Sequence, residues 1–223
     1  MRKTGLYLYS KFERFWHWTQ MLLVTLMVIT GFEVHGSFAL FGYENSVRIH
    51  SASAWTFMGL ALLSIFWMFV TRQYINFIPS RANLKEQINY YMSGIFKGEV
   101  HPIRKSLFNK LNPLQKLVYF GLLIFIFPVQ IFTGIAYMYY HYPQNPIDAK
   151  GFEIAVYTHT LGAFMVVAFI IVHVYMITTG NTIATNLRAM ISGYEKEDDH
   201  KPKVESQENQ ENNIVNESNE SEK

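Results

Sequence analysis

The chain has 223 residues and a net charge of +2, with half of its residues hydrophobic, 16% aromatic and only 16% charged. That charged fraction is well below the quarter or so found in soluble domains, and it points to a bilayer setting. No cysteine is present, so disulfides, cysteine-ligated iron–sulfur clusters and covalent C-x-x-C-H haem attachment are excluded.

In chain order, four stretches reach the roughly 20 apolar residues that span a bilayer: Phe15–Gly36, Ile49–Thr71, Leu114–Tyr140 and Ile154–Thr179. The expected fold is all-α, a four-helix transmembrane bundle. The first stretch is too long for a signal-peptide core and is followed by no small-residue cleavage motif, so it is expected to be a retained anchor.

Positive charge sets the expected orientation. Arg2, Lys3, Lys11 and Arg14 precede or open the first span. The connection between the second and third spans holds Arg72, Arg81, Lys85, Lys97, Arg104, Lys105, Lys110 and Lys116, whereas the other two connections offer only Arg48 and Lys150. The positive-inside rule then places both termini and the middle loop in the cytoplasm.

Within the middle loop, Asn83 followed by Glu86 makes a capping-box-like start. Leu84, Ile88, Tyr91 and Ile95 recur at helical spacing, so a short amphipathic helix on the inner membrane surface is expected. From Glu195 to Lys223 the chain carries ten acidic and four basic residues, leaving fifteen basic and seven acidic before it. Residues 1–194 read as the membrane domain and 195–223 as an acidic tail too polar to bury a core.

The histidines carry the chemistry. His159 and His173 lie fourteen residues apart on the last span. That offset returns to within about 40° of the same helix face with a rise of about 21 Å. An unpaired imidazole in hydrocarbon is costly, so each ring needs a partner or a ligand. His17 opens the first span and His50 the second, which gives His17–His173 at the inner depth and His50–His159 at the outer depth. Bis-histidine ligation of two low-spin b-type haems, non-covalently held, satisfies all four rings. A single intramembrane histidine has a plainer reading as a hydrogen-bonded packing residue, but four at two matched depths favour ligation. By helical phase alone His35 competes with His50 as the outer ligand, and His141 also lies near that surface. His101 and His200 fall in the loop and the tail, where solvated histidine is expected.

These residues carry a family resemblance. R-F-W-H-W at Arg14–Trp18, T-G at Thr30–Gly31, R-I-H at Arg48–His50, N-P-L-Q-K at Asn112–Lys116 and H-x13-H-V-Y at His159–Tyr175 together resemble the cytochrome b561-like di-haem membrane subunits. The formate dehydrogenase gamma subunit is the nearest pattern, with thiosulfate reductase and nickel–iron hydrogenase cytochrome b subunits as relatives. The resemblance spans about residues 11 to 195. It implies that His17 pairs with His173 around the cytoplasmic-side haem and His50 with His159 around the outer haem, and it favours His50 over His35. It also implies a menaquinone or ubiquinone site beside the inner haem, with Asn112 and Gln115 where the family binds the headgroup. Pro113 and Leu114 depart from the formate dehydrogenase version.

Asn112 also fits a second role, since Asn followed by Pro commonly starts a helix. Arg14 and Arg48 either pair with haem propionates or snorkel to the interface. The function expected is electron transfer between the quinone pool and an oxidoreductase subunit on the periplasmic face, an iron–sulfur or multihaem c-type protein. A stand-alone quinone-linked cytochrome b561 oxidase is the nearest alternative, and a haem-free transporter or scaffold is the alternative from another class.

Overall fold

A computed structural model describes residues 5–79, 84–94, 97, 110–140, 147–178 and 184–195. Among these residues four helical segments are long and apolar enough to cross a membrane, Lys11–Val34, Tyr43–Val70, Pro113–Tyr139 and Ala149–Ile177. In chain order the elements are β1 (Leu6–Tyr7), α1 (Lys11–Val34), α2 (Tyr43–Val70), a 3-10 turn (Gln73–Phe77) and α3 (Leu84–Asn89) with a π turn (Tyr90–Gly94). They continue with α4 (Pro113–Gly121), a π stretch (Leu122–Ile126), α5 (Phe127–Tyr139), α6 (Ala149–Ile177), α7 (Thr185–Ser192) and β2 (Tyr194–Glu195).

The spans begin earlier than the apolar runs because polar caps start them. Ser10 and Glu13 form a reciprocal capping box, with the Glu13 N–H donating to Ser10 Oγ (3.2 Å) and the Ser10 N–H to Glu13 Oε2 (2.7 Å). That box carries Lys11–Arg14 into α1, ahead of the expected start at Phe15. At the other end of α1, Glu33 is 5% exposed. Its Oε1 accepts the N–H groups of Leu40, Phe41 and Gly42 (2.6, 2.8 and 2.8 Å), and its Oε2 accepts the Ser46 hydroxyl (2.6 Å). A carboxylate gathering the N–H groups where a helix begins satisfies donors that have no helical acceptor. This is why α2 starts at Tyr43, six residues before the apolar run at Ile49. Asp148 caps α6 by accepting from the Gly151 N–H at 2.7 Å.

The third span is continuous but not uniform. In the π stretch the Phe127 N–H reaches back to Leu122 O, five residues rather than four. Pro128 follows directly and has no N–H to give, so the ladder is interrupted where one extra residue is accommodated.

Packing is inverted relative to a water-soluble bundle. Phe66, Phe132, Leu62 and Ile171 are at least 65% exposed, while Thr30, Ser46, Ser53 and Ser64 are buried. Small hydroxyl residues between helices and large apolar ones outside are what a lipid solvent selects. A small apolar cluster, Leu23, Phe57 and Leu60 with Trp16, Val24, Met27 and Phe127, joins α1, α2 and α5.

α3 forms where a helix was expected, although Asn83 and Ile95 lie outside the described residues. Its buried face runs through Gln87 and Gly94, while Ile88 and Met92 stay exposed, 41% and 76%. Ile88 and Met92 therefore face away from the protein, and the polar Gln87 faces into it.

The segments just before α1 and just after α7 meet. β1 pairs antiparallel with β2, Leu6 opposite Glu195 and Tyr7 opposite Tyr194, so ordered structure continues two residues beyond Gly193. The Leu8 and Tyr9 N–H groups both donate to Gly193 O (2.9 and 3.2 Å). Burial, reinforced by the Glu195 carboxylate, pushes the Tyr9 phenol above its ordinary range. Gly193 closes α7 at φ 86°, and a Cβ there would stand 2.8 Å from Tyr9 O. Gly193→Ala is therefore expected to cost at least about 1 kcal/mol and lower the unfolding temperature in detergent. Gly59→Ala, inside α2 with nothing within 4 Å, should leave that temperature unchanged or slightly raised.

Candidate functional site

α6 presents His159 and His173 at two depths, and each faces a histidine from another span. The His17 and His173 ring centroids are 6.1 Å apart at an interplanar angle of 47°. Those of His50 and His159 are 6.3 Å apart at 66°. The first pair lies toward the end of the bundle where the chain termini meet, and the second toward the opposite end. All four expected partners are thus brought together in the expected combination.

The spacing has a chemical meaning. Neither pair stacks, and neither is joined by a direct hydrogen bond. Two imidazole nitrogens on one metal ion stand about 4 Å apart at about 2 Å per bond, and adding the distance from each nitrogen to its ring centre brings the centroids to about 6 Å. Among the described residues no group of three or more His, Cys, Asp or Glu side chains gathers to hold a metal ion. A bare ion usually takes three or four protein donors, whereas haem brings its own equatorial nitrogens and asks the protein for two axial ones. The donor set fits haem.

At the end away from the termini, Nδ1 of His50 lies 3.2 Å from Thr30 Oγ1 and Nδ1 of His159 lies 3.0 Å from Thr133 Oγ1. Gly31 and Gly134 follow these threonines, and a Cβ on either would stand 3.3 Å from Cε1 of the adjacent imidazole. A side chain at either glycine would therefore press on the imidazole and push it by a few tenths of an ångström. At the terminal end, Nδ1 of His173 meets the Tyr119 hydroxyl at 3.1 Å, and Phe169 stacks on the same ring at 5.6 Å and 19°. Nδ1 of His17 is buried without a hydrogen-bond partner.

The remaining expected residues take these positions. His35 caps the end of α1, with Nε2 2.9 Å from Thr160 Oγ1, whereas the ring paired with His159 is that of His50. Arg14 donates from Nη1 to Ile191 O at 2.6 Å, and its buried Nε has no partner. Arg48 pairs with Glu44 at 2.7 Å, with both side chains exposed (73% and 80%). Asn112 and Gln115 form a capping box at the start of α4: Asn112 Oδ1 accepts the Gln115 N–H (2.8 Å), and Gln115 Oε1 accepts the Asn112 N–H (3.0 Å). Asn112 also donates from Nδ2 to the Tyr91 hydroxyl at 3.1 Å. Beside them Lys110 and Glu13 form a largely buried ion pair at 2.7 Å. His101, His141 and His200 lie outside the described residues.

Tyr119, Thr133 and Gly134 were not singled out from the sequence. The signal for two of them is a Thr-Gly dipeptide inside the third span that repeats Thr30–Gly31 of the first.

Over residues 8–193 the chain matches the family model described as prokaryotic cytochrome b561. The chain belongs to that family. It is similar to the YdhU cytochrome of Escherichia coli (strain K12), 31% identical over 208 residues that cover 86% of this chain and 75% of the relative. It is also similar to a protein of the same organism named as the Ni/Fe-hydrogenase 1 B-type cytochrome subunit, 26% identical over 220 residues that cover 84% of this chain and 89% of the relative. This prokaryotic cytochrome b561 is accordingly a multi-pass membrane cytochrome b that binds haem b and serves electron transport.

The cradles at Gly31 and Gly134 make a direct test. Gly31→Ala and Gly134→Ala should each lower the haem retained per polypeptide, read by pyridine haemochrome after detergent purification. Gly121→Ala, which meets nothing within 4 Å, should retain the wild-type amount.

Proposed function

We propose that this chain carries electrons across the bacterial inner membrane through two haems b, one between His17 and His173 and one between His50 and His159. It would connect a quinone pool to an oxidoreductase subunit on the periplasmic face. The observation that carries this reading is the pair of one-metal gaps, 6.1 and 6.3 Å between ring centroids, at two depths of one bundle. The named relationship of one relative to a Ni/Fe-hydrogenase supports a partner that holds the substrate chemistry.

Haem held by these histidines would supply one-electron redox chemistry. The rest is done by the chain. Nδ1 of His50, His159 and His173 is engaged by a hydroxyl, which leaves Nε2 of each as the nitrogen that would bind iron; His17 would be the fourth ligand. The large apolar residues around the bundle keep water from the spans, which raises the strength of every electrostatic contact inside. Arg14 Nε is a buried donor three residues before His17 and suits a propionate there. Arg48 is two residues before His50. Its exposed pair with Glu44 is worth at most about 0.5 kcal/mol, so a propionate can take its place.

Quinone binding belongs at the terminal end, beside His17 and His173. Asn112 spends its carbonyl on the cap and one amide hydrogen on Tyr91; the second amide hydrogen is the donor a quinone carbonyl would take, with Gln115 alongside. Clustering of positive charge in the terminal segment and middle loop supports cytoplasmic termini. The pairing of β1 with β2 agrees with both ends lying on one side.

Purified protein should hold two b haems per chain. His50→Ala should remove one and His35→Ala neither; a wild-type stoichiometry of one, or an intact pair in His50→Ala, would contradict the ligand assignment. For the quinone site, Asn112→Ser keeps a good N-cap but removes the amide donor. It should slow quinol-driven haem reduction about three- to tenfold, the worth of a hydrogen bond of about 0.5–1.5 kcal/mol. Unchanged quinol kinetics in Asn112→Ser would leave Asn112 as a helix cap alone.

A further inference from the structure

The His50–His159 pair is built twice from the same three parts, a threonine, the glycine after it and a histidine from the next span. We propose that Thr30 and Thr133 are positioning residues that set the tautomer and donor strength of His50 and His159, and through them the potential of the haem at that end. This rests on the reading that these histidines are axial ligands.

The hydrogen count decides the direction of each bond. A threonine hydroxyl has one hydrogen. Thr30 Oγ1 lies 2.6 Å from Leu26 O, and Thr133 Oγ1 lies 2.6 Å from Val129 O, each four residues back on its own helix. A second carbonyl, Met27 O or Gln130 O, stands at 3.4 Å in each case. A carbonyl only accepts, so the hydroxyl hydrogen is committed there and the hydroxyl oxygen must accept from the imidazole. Nδ1 of His50 and of His159 therefore carries the proton. Nε2 is left with its lone pair, the form a metal needs.

Back-bonding of threonine to the carbonyl four residues earlier is common in membrane helices and by itself signifies little. Here it recurs with the same acceptor spacing, the same following glycine at 3.3 Å from Cε1, and the same Nδ1 contact on two different spans. The other histidine pair has neither: Nδ1 of His17 is without a partner, and that of His173 meets a phenol. A neutral acceptor on Nδ1–H raises the basicity of Nε2, which favours ferric over ferrous iron and lowers the potential of that haem alone.

The experiment is a potentiometric titration of the purified wild type, Thr30→Val, Thr133→Val, the double Val variant and the matching Ser variants, followed optically and by low-temperature EPR. With Val, which keeps the shape and loses the oxygen, one of the two haems should titrate at a more positive potential with altered low-spin g-values, more so in the double variant. The other haem should not move, and Ser should restore the wild-type values. Loss of that haem from Val but not from Ser supports the hydroxyl's role equally. Full haem with unmoved potentials and g-values in the Val variants, or Ser variants that behave as Val does, would overturn the proposal. A wild type without two bis-histidine haems would instead overturn the ligand reading beneath it.

Discussion

An imidazole within a bilayer must have somewhere to put two nitrogens, and this constraint governs the structure. In water either nitrogen finds a partner at no cost; in hydrocarbon an unpaired polar group costs several kcal/mol. Here the side of each ring facing its own neighbourhood is largely satisfied by hydroxyls, from Thr30, Thr133 and Tyr119. The other side faces a second imidazole across a gap too wide for a hydrogen bond. Four long helices, two of them scarcely amphipathic, are held so that these gaps are kept open at two depths.

The ends of the spans bear the cost of that arrangement. Three of the spans have a first-turn N–H taken by a capping side chain, Ser10, Asn112 or Asp148, and Glu33 gathers the N–H groups of the turn that leads into α2. At the terminal end, Glu13 serves both its own cap and Lys110, Arg14 holds the carbonyl of Ile191, and β1 pairs with β2. The segments before α1 and after α7 thus brace the mouth of the His17–His173 pair. On the proposed quinone route this is the entry for electrons or their exit, so rigidity there has a use beyond stability.

Much of this was legible in the sequence because hydrocarbon makes coarse demands. Apolar length showed the four spans, helical phase on α6 put His159 and His173 on one face, and the places of His17 and His50 within their spans showed which histidines share a depth. What was not legible came from contacts between segments distant in sequence. The spans begin up to six residues early because of Glu33 and Ser10, whose partners are polar residues ahead of the apolar runs. Helical spacing in the middle loop showed Ile88 on the apolar face of α3, but not that Gln87 on the same helix would be the residue buried in the protein. The engagement of Asn112 with Gln115 and Tyr91 makes it a helix cap whatever else it binds. Tyr119 was hidden because it meets His173 only across the fold, 54 residues away in sequence.

The account turns on what fills the two gaps. Anomalous scattering at the iron edge, measured on crystals of the purified protein, places iron directly. It should show two peaks per chain, one between His17 and His173 and one between His50 and His159. A single peak, or iron away from either pair, would contradict the account.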